Sequence, residues 1–348
     1  MRLAFYAPLK PPEHPVPSGD RAMARALMAA LAYSGAQVDL AAEFPSRDGV
    51  GDAAVQARLT EQAQALVPEI IAQGRRAGWA AWVSYHCYYK APDLLGPSVS
   101  AALGIPYLLV EATRARKRLG GPWDAFARSS EAACDAAACI FYLTERDHEA
   151  LKRDAPNGQS LIRLPPFLSR TELPVAAWGS HFLAVGMMRI RAKLASYELI
   201  AQTLMLLPGG PDLEIAGDGP ARGAVEAAMA PLGARVRFLG ALEPEELADA
   251  YARAGALIWP GVDEAFGVTY LEAQAHGLPV IAQDRPGVRD VLYPRDYPEV
   301  ASGAEGLAQF SREPRPAARS IRKRIQRLHL LPAAAATLRA GLTQAGVR

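Results

Sequence analysis

Residues 255–284, GALIWPGVDEAFGVTYLEAQAHGLPVIAQD, decide the fold of this chain. The apolar run 255–260 predicts a buried strand, and the glycine-flanked segment 261–267 predicts a loop. Residues 268–277 predict a helix that ends at a glycine, and residues 278–284 predict a second strand. A strand, a helix and a strand in this order form a parallel βαβ unit, so the stretch indicates an α/β protein.

The same alternation continues in both directions along the chain. Strand patterns alternate with Ala- and Leu-rich helical patterns, and a continuous apolar strand such as 79–85 is typical of a sheet covered on both faces. The Pro-rich segment 164–174 interrupts the alternation, which then restarts. We therefore expect two Rossmann-like, doubly wound parallel-sheet domains at residues 1–167 and 168–315, and a helical tail at residues 316–348.

The composition argues against several classes of protein. Of the 348 residues, 50% are hydrophobic and 21% are charged, which favours a packed core over a disordered chain. The 38 Lys and Arg against 36 Asp and Glu leave a net charge of +2, so we expect no nucleic-acid partner. No uncharged stretch reaches the roughly 18 residues of a membrane-spanning helix, and the proline-rich start does not resemble a signal peptide. Cys87, Cys134 and Cys139 fit a reducing compartment, so a cytoplasmic protein is expected.

Several catalytic motifs are missing from the sequence. It contains no GxxxxGK[ST] phosphate loop, no HExxH pair, no GxSxG elbow and no two aspartates two residues apart. An Asp-x-Asp pair could hold a divalent metal against a nucleotide diphosphate. We therefore expect no metal site and no cofactor, and we expect phosphate to be bound by cations and backbone amides.

The loop and helix within 255–284 contain the first candidate site. Gly267 allows the backbone to approach a ligand, and the helix that starts there points its free N–H groups and positive dipole end at the loop. Glu264 lies in the loop and Glu272 lies within the helix. Their carboxylates suit the vicinal hydroxyls of a sugar or ribose. The alternative at this stage is a capped surface helix with two solvated glutamates.

A second candidate site follows the strand that ends near Gly186. Arg189, Arg191 and Lys193 come directly after it and before the next helix. Cations at the carboxyl end of a parallel strand are placed to bind a diphosphate. A solvated basic helix start is the competing interpretation.

A third motif, AGDGPARG at 216–223, places Gly217 and Asp218 in a turn between a strand and a helix. It could form a dinucleotide-binding turn, which keeps an NAD(P)-dependent oxidoreductase open as an alternative. However, the strand after this helix does not end in a ribose-binding acid, since Glu243 comes three residues later.

The first domain offers weaker signals. Gly19 precedes a helix and would let backbone amides approach an anion, whereas His86 and Glu111 each end a predicted strand and would face a ligand crevice. An ordinary helix start and buried structural residues are the alternatives. Two basic segments, 113–121 and 312–327, could contact anionic lipid headgroups or an acceptor phosphate, or could be solvated helix faces.

The segment EAFGVTYLEAQAHGLPVIA (264–282) resembles the E-x7-E segment of retaining glycosyltransferases of family 4. The resemblance covers about 180–292 and is looser in the first half. It continues, in the order and spacing of the family, through AVGMMRIRAKL, LEIAGDGPARGAVE, VRFLGALEPEELADAYARAGALIWP and GVRDVL.

The resemblance implies roles for the donor-side residues. Arg189 and Lys193 would neutralise the diphosphate of a nucleotide sugar. The family has its lysine five residues after the arginine, whereas this chain has it four residues after, so Arg191 would share the role. Glu264 would contact the donor sugar and Glu272 the ribose. The phosphates would be held by backbone at Ala265, Phe266 and Gly267 and, from the opposite domain, at Gly19.

The family also has the GT-B fold, in which two Rossmann-like domains face a cleft and a C-terminal helix crosses back to the first domain. We include Gly217 and Asp218 among the substrate-binding residues, and His86 and Glu111 among the catalytic ones. The family often has a histidine where this chain has Glu111.

The sequence therefore predicts a metal-independent, retaining glycosyltransferase. Its donor would be a UDP- or GDP-sugar, which serves as a co-substrate, and its acceptor a sugar or glycan, a lipid or a small molecule. The alternatives are the oxidoreductase and a non-catalytic nucleotide-sugar-binding protein. The basic segments leave peripheral contact with an anionic inner membrane face open.

Overall fold

A computed structural model describes residues 1–16 and 18–347 and divides the chain into two compact units. The first unit comprises Met1–Pro165 together with Leu331–Arg348, and the second comprises Pro166–Leu330. Each unit is an α/β domain with its own parallel sheet.

The first unit contains a six-stranded sheet in which every pairing is parallel. Its strands are β1 (Arg2–Tyr6), β2 (Gln37–Leu40), β3 (Ala81–Cys87), β4 (Tyr107–Ala112), β5 (Cys139–Tyr142) and β6 (Ser160–Arg163). They are arranged in the order β2-β1-β3-β4-β5-β6, so the strand order reverses between β1 and β3. The pattern analysis did not predict β6, which is short and lies just before the Pro-rich segment.

The helices of this unit connect successive strands. They are α1 (Gly19–Tyr33), α2 (Ala53–Ala77), α3 (Gly96–Leu103), α4 (Asp124–Ala136) and α5 (Glu145–Asp154). Ser18 caps α1 by accepting the Arg21 N–H, and Asp52 caps α2 by accepting two N–H groups. Helix α2 continues through Pro68, so this proline does not break it.

The second unit contains a five-stranded parallel sheet. Its strands are β7 (Phe182–Val185), β8 (Leu213–Ala216), β9 (Val236–Gly240), β10 (Ala256–Ile258) and β11 (Val280–Ile281). The order β11-β10-β7-β8-β9 places β10 beside β7, so the direction of winding reverses between these two strands. Parallel open sheets bind ligands at the carboxyl ends of the strands where the order reverses.

The helices of the second unit connect its strands and continue after β11. They are α6 (Ala192–Met205), α7 (Arg222–Met229), α8 (Pro244–Arg253), α9 (Val268–Ala275), α10 (Val288–Val291), α11 (Gly303–Arg312) and α12 (Ala318–Leu328). A large apolar core, which includes Tyr197, Trp259 and Tyr270, packs between these helices and the sheet.

The end of the chain returns to the first unit in a helix, α13 (Leu331–Gln344), which packs against α1. Residues 316–330, by contrast, belong to the second unit, where α12 packs against α9. The predicted tail at 316–348 is therefore divided, because α12 buries its apolar side chains Ile321 and Ile325. No helix within the described residues is both long and apolar enough to cross a membrane.

Candidate active site

The reversal of strand order in the second unit brings two predicted motifs together. The loop after β7 contains Arg189, Arg191 and Lys193, and the loop after β10 contains Glu264. Because β7 and β10 are hydrogen-bonded neighbours, both loops emerge at the same edge of the sheet.

Lys193 and Glu264 form the centre of this candidate site. The Lys193 ammonium donates to Oε1 of Glu264, and the indole N–H of Trp259 donates to the same oxygen at 2.9 Å. The ammonium also lies 5.2 Å from the centroid of the Trp259 ring, within the range of a cation–π contact. The two side chains predicted to bind the diphosphate and the sugar of a donor are thus paired with each other.

Buried aromatic residues hold the two loops in place. The Tyr197 hydroxyl donates to the Gly186 carbonyl at 2.6 Å, and the Tyr270 hydroxyl donates to the Trp259 carbonyl at 3.0 Å. The Tyr197 and Trp259 rings meet edge to face with centroids 5.1 Å apart. These contacts fix the backbone at the start of the two loops that contain Lys193 and Glu264.

Gly267 allows the sharp entry into α9. Its φ is +78°, and a Cβ there would lie 2.7 Å from the Tyr270 ring. No side chain caps this helix start, so the first N–H groups of α9 point into the loop that contains Ala265 and Phe266. Ala265 is exposed, and Phe266 is partly buried against the core.

Glu272 lies one turn further along α9. One of its oxygens is 3.5 Å from an Nη of Arg170. Burial raises the pKa of Glu272 above its usual range, and the Arg170 charge opposes that rise. Arg170 lies in the segment predicted as a linker, and sequence analysis did not identify it as a site residue.

The other two cations of the β7 loop are not held in the same way. Arg189 is exposed, and its guanidinium contacts only the Met187 sulfur, at 3.4 Å, among the described residues. Arg191 is also exposed, and its φ of +72° is unfavourable for a side chain other than glycine. The structure therefore places Lys193, but not Arg189 or Arg191, in contact with Glu264.

A pocket of about 390 Å³ lies beside Lys193 at the ends of β7 and β8. It is lined by Val185, Gly186, Met187, Lys193, Ala216, Gly217, Asp218, Ala241, Leu242, Leu247 and Thr269. Apolar walls with a few polar groups are typical of small-molecule sites. Asp218 accepts the Gly219 N–H at 2.7 Å and lies 3.2 Å from the Arg222 guanidinium.

The glycines of the AGDGPARG turn have a packing role in this pocket. A Cβ on Gly217 would collide with the Gly186 carbonyl, and a Cβ on Gly219 would lie 2.6 Å from the Met188 carbonyl. The turn is therefore glycine-rich because it packs directly on the loop after β7. The dinucleotide-binding interpretation gains no support from this geometry.

In the first unit, His86 and Glu111 occupy facing positions on the neighbouring strands β3 and β4. Both have positive φ, +64° and +58°, a strained conformation that costs about 1–3 kcal/mol per residue. Nδ1 of His86 is 3.3 Å from Asp20, and Oε2 of Glu111 is buried without a hydrogen-bond partner within the described residues. Strained, polar residues at a strand end are typical of functional sites.

The electrostatics of this cluster favour a charged histidine. Burial lowers the pKa of His86, but the carboxylates of Glu111, Asp20 and Asp147 outweigh it and raise the pKa above its ordinary value. Burial raises the pKa of Glu111, while contact with His86 lowers the pKa of Asp20. Gly19 is the first residue of α1, directly before Asp20, and a Cβ added at Gly19 would meet no atom within 4 Å.

Replacing Asp20 with asparagine is expected to lower the pKa of His86, because a carboxylate that favours the imidazolium is removed. Because the pKa of His86 is raised in the folded state, protonated His86 contributes to the free energy of unfolding. This contribution is full below the ordinary pKa of 6.5 and is lost as the pH rises through the folded pKa. An NMR titration of the His86 ring measures the shift. Glu13→Gln, at an exposed acid paired with Arg25, is the control, and an unchanged His86 pKa in the Asp20 variant would contradict the assignment.

Two of the four basic residues of segment 113–121, Arg114 and Arg116, form ion pairs. The buried Arg114 guanidinium lies 2.7 Å from Glu131 and 2.6 Å from Asp135, and Arg116 lies 3.1 Å from Asp154. Arg114 and Arg116 therefore contribute to the packing of the first unit, which reduces the positive charge that this segment offers to a lipid or an acceptor.

Sequence analysis missed two residues of the candidate site. Trp259 is the last aromatic residue before the β10 loop, and its position at a strand end was the available signal. Arg170 had no signal, since its contact with Glu272 joins residues far apart in sequence.

Comparison with known proteins identifies the class of this fold. Sucrose-phosphate synthase from Thermosynechococcus elongatus superimposes with a TM-score of 0.70 at 20% identity, covering 99% of this chain and 98% of that one. The lipopolysaccharide outer core galactosyltransferase WaaB superimposes with a TM-score of 0.68 at 15% identity, covering 99% of each chain. These similarities confirm the predicted fold class, two Rossmann-like parallel-sheet domains of the GT-B type.

Sequence similarity is concentrated in the second unit. Residues 180–309, all within this unit, match the family model for glycosyl transferases group 1. The sulfoquinovosyl transferase SQD2 of Arabidopsis thaliana is 32% identical over 112 residues, 32% of this chain and 20% of that protein. A GDP-mannose-dependent alpha-mannosyltransferase of Mycobacterium tuberculosis is 42% identical over 86 residues, 25% of this chain and 22% of that protein. The chain thus spans about a fifth of the length of these relatives.

Proposed function

We propose that this chain is a glycosyltransferase that moves a sugar from a UDP- or GDP-sugar to an acceptor with retention of configuration. The observation that carries the proposal is the contact of Lys193 with Glu264, where the strand order reverses in the unit that matches glycosyl transferases group 1. The names of the two curated relatives describe transferases of the same general kind.

Each donor group has a chemically suitable partner in this unit. The diphosphate would lie against Lys193 and the uncapped N-terminus of α9, where a cation and free N–H groups favour an anion. Glu272 would accept the ribose hydroxyls, and Glu264 would accept hydroxyls of the sugar. Donor binding would then transfer Lys193 from Glu264 to phosphate and free a carboxylate oxygen for the sugar.

The main barrier in this reaction is departure of the nucleoside diphosphate. The bond from the anomeric carbon to phosphate oxygen breaks, and negative charge develops on the leaving group. Lys193 and the α9 amides would stabilise that charge without reorganising, with Arg189 and Arg191 free to approach. We propose a front-face route in which the acceptor oxygen bonds to the anomeric carbon on the face that the phosphate leaves, and the leaving phosphate takes the acceptor's proton. Metal independence also belongs to the proposal, and unchanged activity in excess EDTA would support it.

The acceptor side is assigned to the first unit. His86 and Glu111 are partly buried polar groups at a strand end, and either could contact an acceptor hydroxyl. The acceptor class stays a sugar or glycan, a lipid or a small molecule. A non-catalytic nucleotide-sugar-binding protein would bind the donor but would neither transfer nor slowly hydrolyse it, so donor hydrolysis separates the two possibilities.

A thermal-shift panel tests the proposal directly. UDP-glucose, GDP-mannose, NAD and NADP are added separately, and one of the nucleotide sugars is expected to raise the melting temperature while the dinucleotides do not. Ligand that binds only the folded state stabilises by RT ln(1 + [L]/Kd), so a shift reports binding. A shift with NAD or NADP alone would overturn the proposal.

Replacing Glu272 with alanine is expected to raise the donor KM by roughly 10-fold or more, because a charge-assisted hydrogen bond to the ribose is lost. The measurement is the rate of donor hydrolysis as a function of donor concentration. Glu198→Ala, at an exposed glutamate on α6, is the matched control and is expected to keep the wild-type KM. Equal KM values in both variants would remove Glu272 from the donor site.

A further inference from the structure

Helix α12 presents an unusual concentration of positive charge. Its eleven residues, ARSIRKRIQRL, include five basic side chains and no acid, in a chain whose net charge is only +2. Ile321 and Ile325 are buried, while Arg319, Lys323 and Arg327 are exposed at intervals of four residues. Like charges at this spacing repel each other, so the exposed side of α12 favours an anionic partner.

These three cations have no counterion in the described part of the chain. None of them lies within ion-pair distance of a carboxylate there. A neighbour on the same helix behaves differently, since Arg322 donates to the carbonyls of Pro174 at 2.9 Å and Ala275 at 2.8 Å. Arg322 thus fixes α12 to the core, and the other three charges remain available.

A basic recess opens beside these cations. It has a volume of about 360 Å³ and is lined by Tyr293, Pro294, Ser320, Lys323, Arg324 and Arg327. Guanidinium, ammonium and hydroxyl donors around one recess, with no carboxylate in its lining, suit a phosphate group.

Two exposed apolar side chains lie in the segment that Arg322 of α12 binds through the Pro174 carbonyl. Trp178 is 72% exposed and Val175 is 73% exposed. Their segment is held by backbone contacts, because the Trp178 N–H donates to the Ala252 carbonyl at 3.0 Å and Arg322 binds the Pro174 carbonyl. Tryptophan is enriched where a protein meets the interface between lipid headgroups and water.

The acids around this region are mostly neutralised. Glu214 pairs with Arg237 at 2.7 Å, and Glu313 pairs with Arg295 at 3.3 Å. Glu172 and Asp249 are exposed acids of the same unit. No ion pair joins any of these acids to Arg319, Lys323 or Arg327 within the described residues.

We propose that the α12 face, defined as Val175, Trp178, Arg319, Lys323 and Arg327, docks on an anionic phospholipid surface. The exposed cations would contact headgroup phosphates, one of which would enter the recess, and Trp178 would insert at the headgroup level. Exposed apolar side chains beside the charge distinguish this surface from a site for a soluble polyanion. The proposal stands independently of the transfer reaction, since α12 contains none of the candidate donor-site residues.

Co-sedimentation with vesicles tests the proposal. The full chain is mixed with phosphatidylcholine vesicles that contain or lack phosphatidylglycerol, and it is expected to sediment only with the anionic ones. The triple variant Arg319→Gln, Lys323→Gln, Arg327→Gln is expected to weaken partitioning by roughly a hundredfold, since each basic residue contributes about equally to attraction by anionic lipid. Trp178→Ser is expected to weaken binding most at high salt, where the apolar contribution dominates.

A matched control removes three charges elsewhere. Arg58→Gln, Arg75→Gln and Arg76→Gln change the net charge equally at exposed positions of α2 and are expected to leave sedimentation unchanged. Equal loss in both triple variants would show attraction by net charge and overturn the proposal. So would absent sedimentation of the wild-type chain, or retention on heparin by the α12 cations without vesicle binding. Displacement by millimolar inorganic phosphate would reduce the surface to a small-anion site and contradict lipid docking.

Unchanged melting temperatures establish that the variants fold, and the donor thermal shift, measured without vesicles, reports separately on the proposed function.

Discussion

Lys193→Ala is expected to lower kcat/KM for the nucleotide-sugar donor by roughly 100- to 1000-fold, the loss found when one preorganised electrostatic contact to a leaving group is removed. The ammonium is the charged group that the structure holds at the meeting point of the β7 and β10 loops. Without it, only the exposed Arg189 and Arg191 could approach the diphosphate. Donor hydrolysis without acceptor measures the effect, because the acceptor need not be known.

A double-mutant cycle separates two roles for Lys193. If the lysine acts only by orienting Glu264, then Glu264→Gln would lose as much activity and the double variant would lose no more. If Lys193 contacts the diphosphate, Lys193→Ala loses more than Glu264→Gln, and Lys193→Arg retains part of the activity. Lys152→Ala, at an exposed lysine of α5, is the control for the loss of charge. Wild-type hydrolysis by Lys193→Ala would contradict the proposed function at its centre.

The element types around the candidate site could be predicted because they depend on local patterns. Residues 255–284 predict a strand, a loop, a helix and a strand, and the structure contains β10, α9 and β11 in those places. The strands are shorter than the apolar runs, at three and two residues. An apolar run marks buried backbone, whereas a strand ends where its neighbour stops pairing.

The assembly of the site could not be predicted in the same way. Lys193 and Glu264 are 71 residues apart, and their contact depends on β10 pairing with β7 and not with the preceding strand, β9. Spacing along the sequence does not encode that choice. The sequence therefore predicted both side chains as site residues but assigned them to separate donor groups, without the ion pair between them.

The exposed cations of α12, unpaired within the described residues, were harder still to predict from the sequence. Its charges were visible as a basic segment, but whether such a segment is solvated, paired or bound depends on what surrounds it. The segment 113–121 has similar composition, yet the structure pairs Arg114 and Arg116 with acids of the first unit. Only the tertiary contacts distinguish that segment from the exposed cations of α12.

Gly287→Ala is expected to impair the donor site from outside it. The residue has a φ of +82°, and a Cβ at this position would collide with the Ala265 carbonyl in the loop that carries Glu264. The loop would have to move, so we expect a lower melting temperature and a donor KM raised by roughly 10-fold or more, since small displacements of binding groups are costly.

Gly158→Ala provides a control at a nearly equal, positive φ. Its φ is +84°, and nothing lies within 4 Å of its Cβ position. That variant is expected to show only the cost of a left-handed conformation, about 1–2 kcal/mol, with an unchanged donor KM. The comparison separates the contact with Ala265 from the cost of a positive φ. If the two variants shared one donor KM, the position of the β10 loop would not depend on Gly287, and the Glu264 carboxylate would need another support.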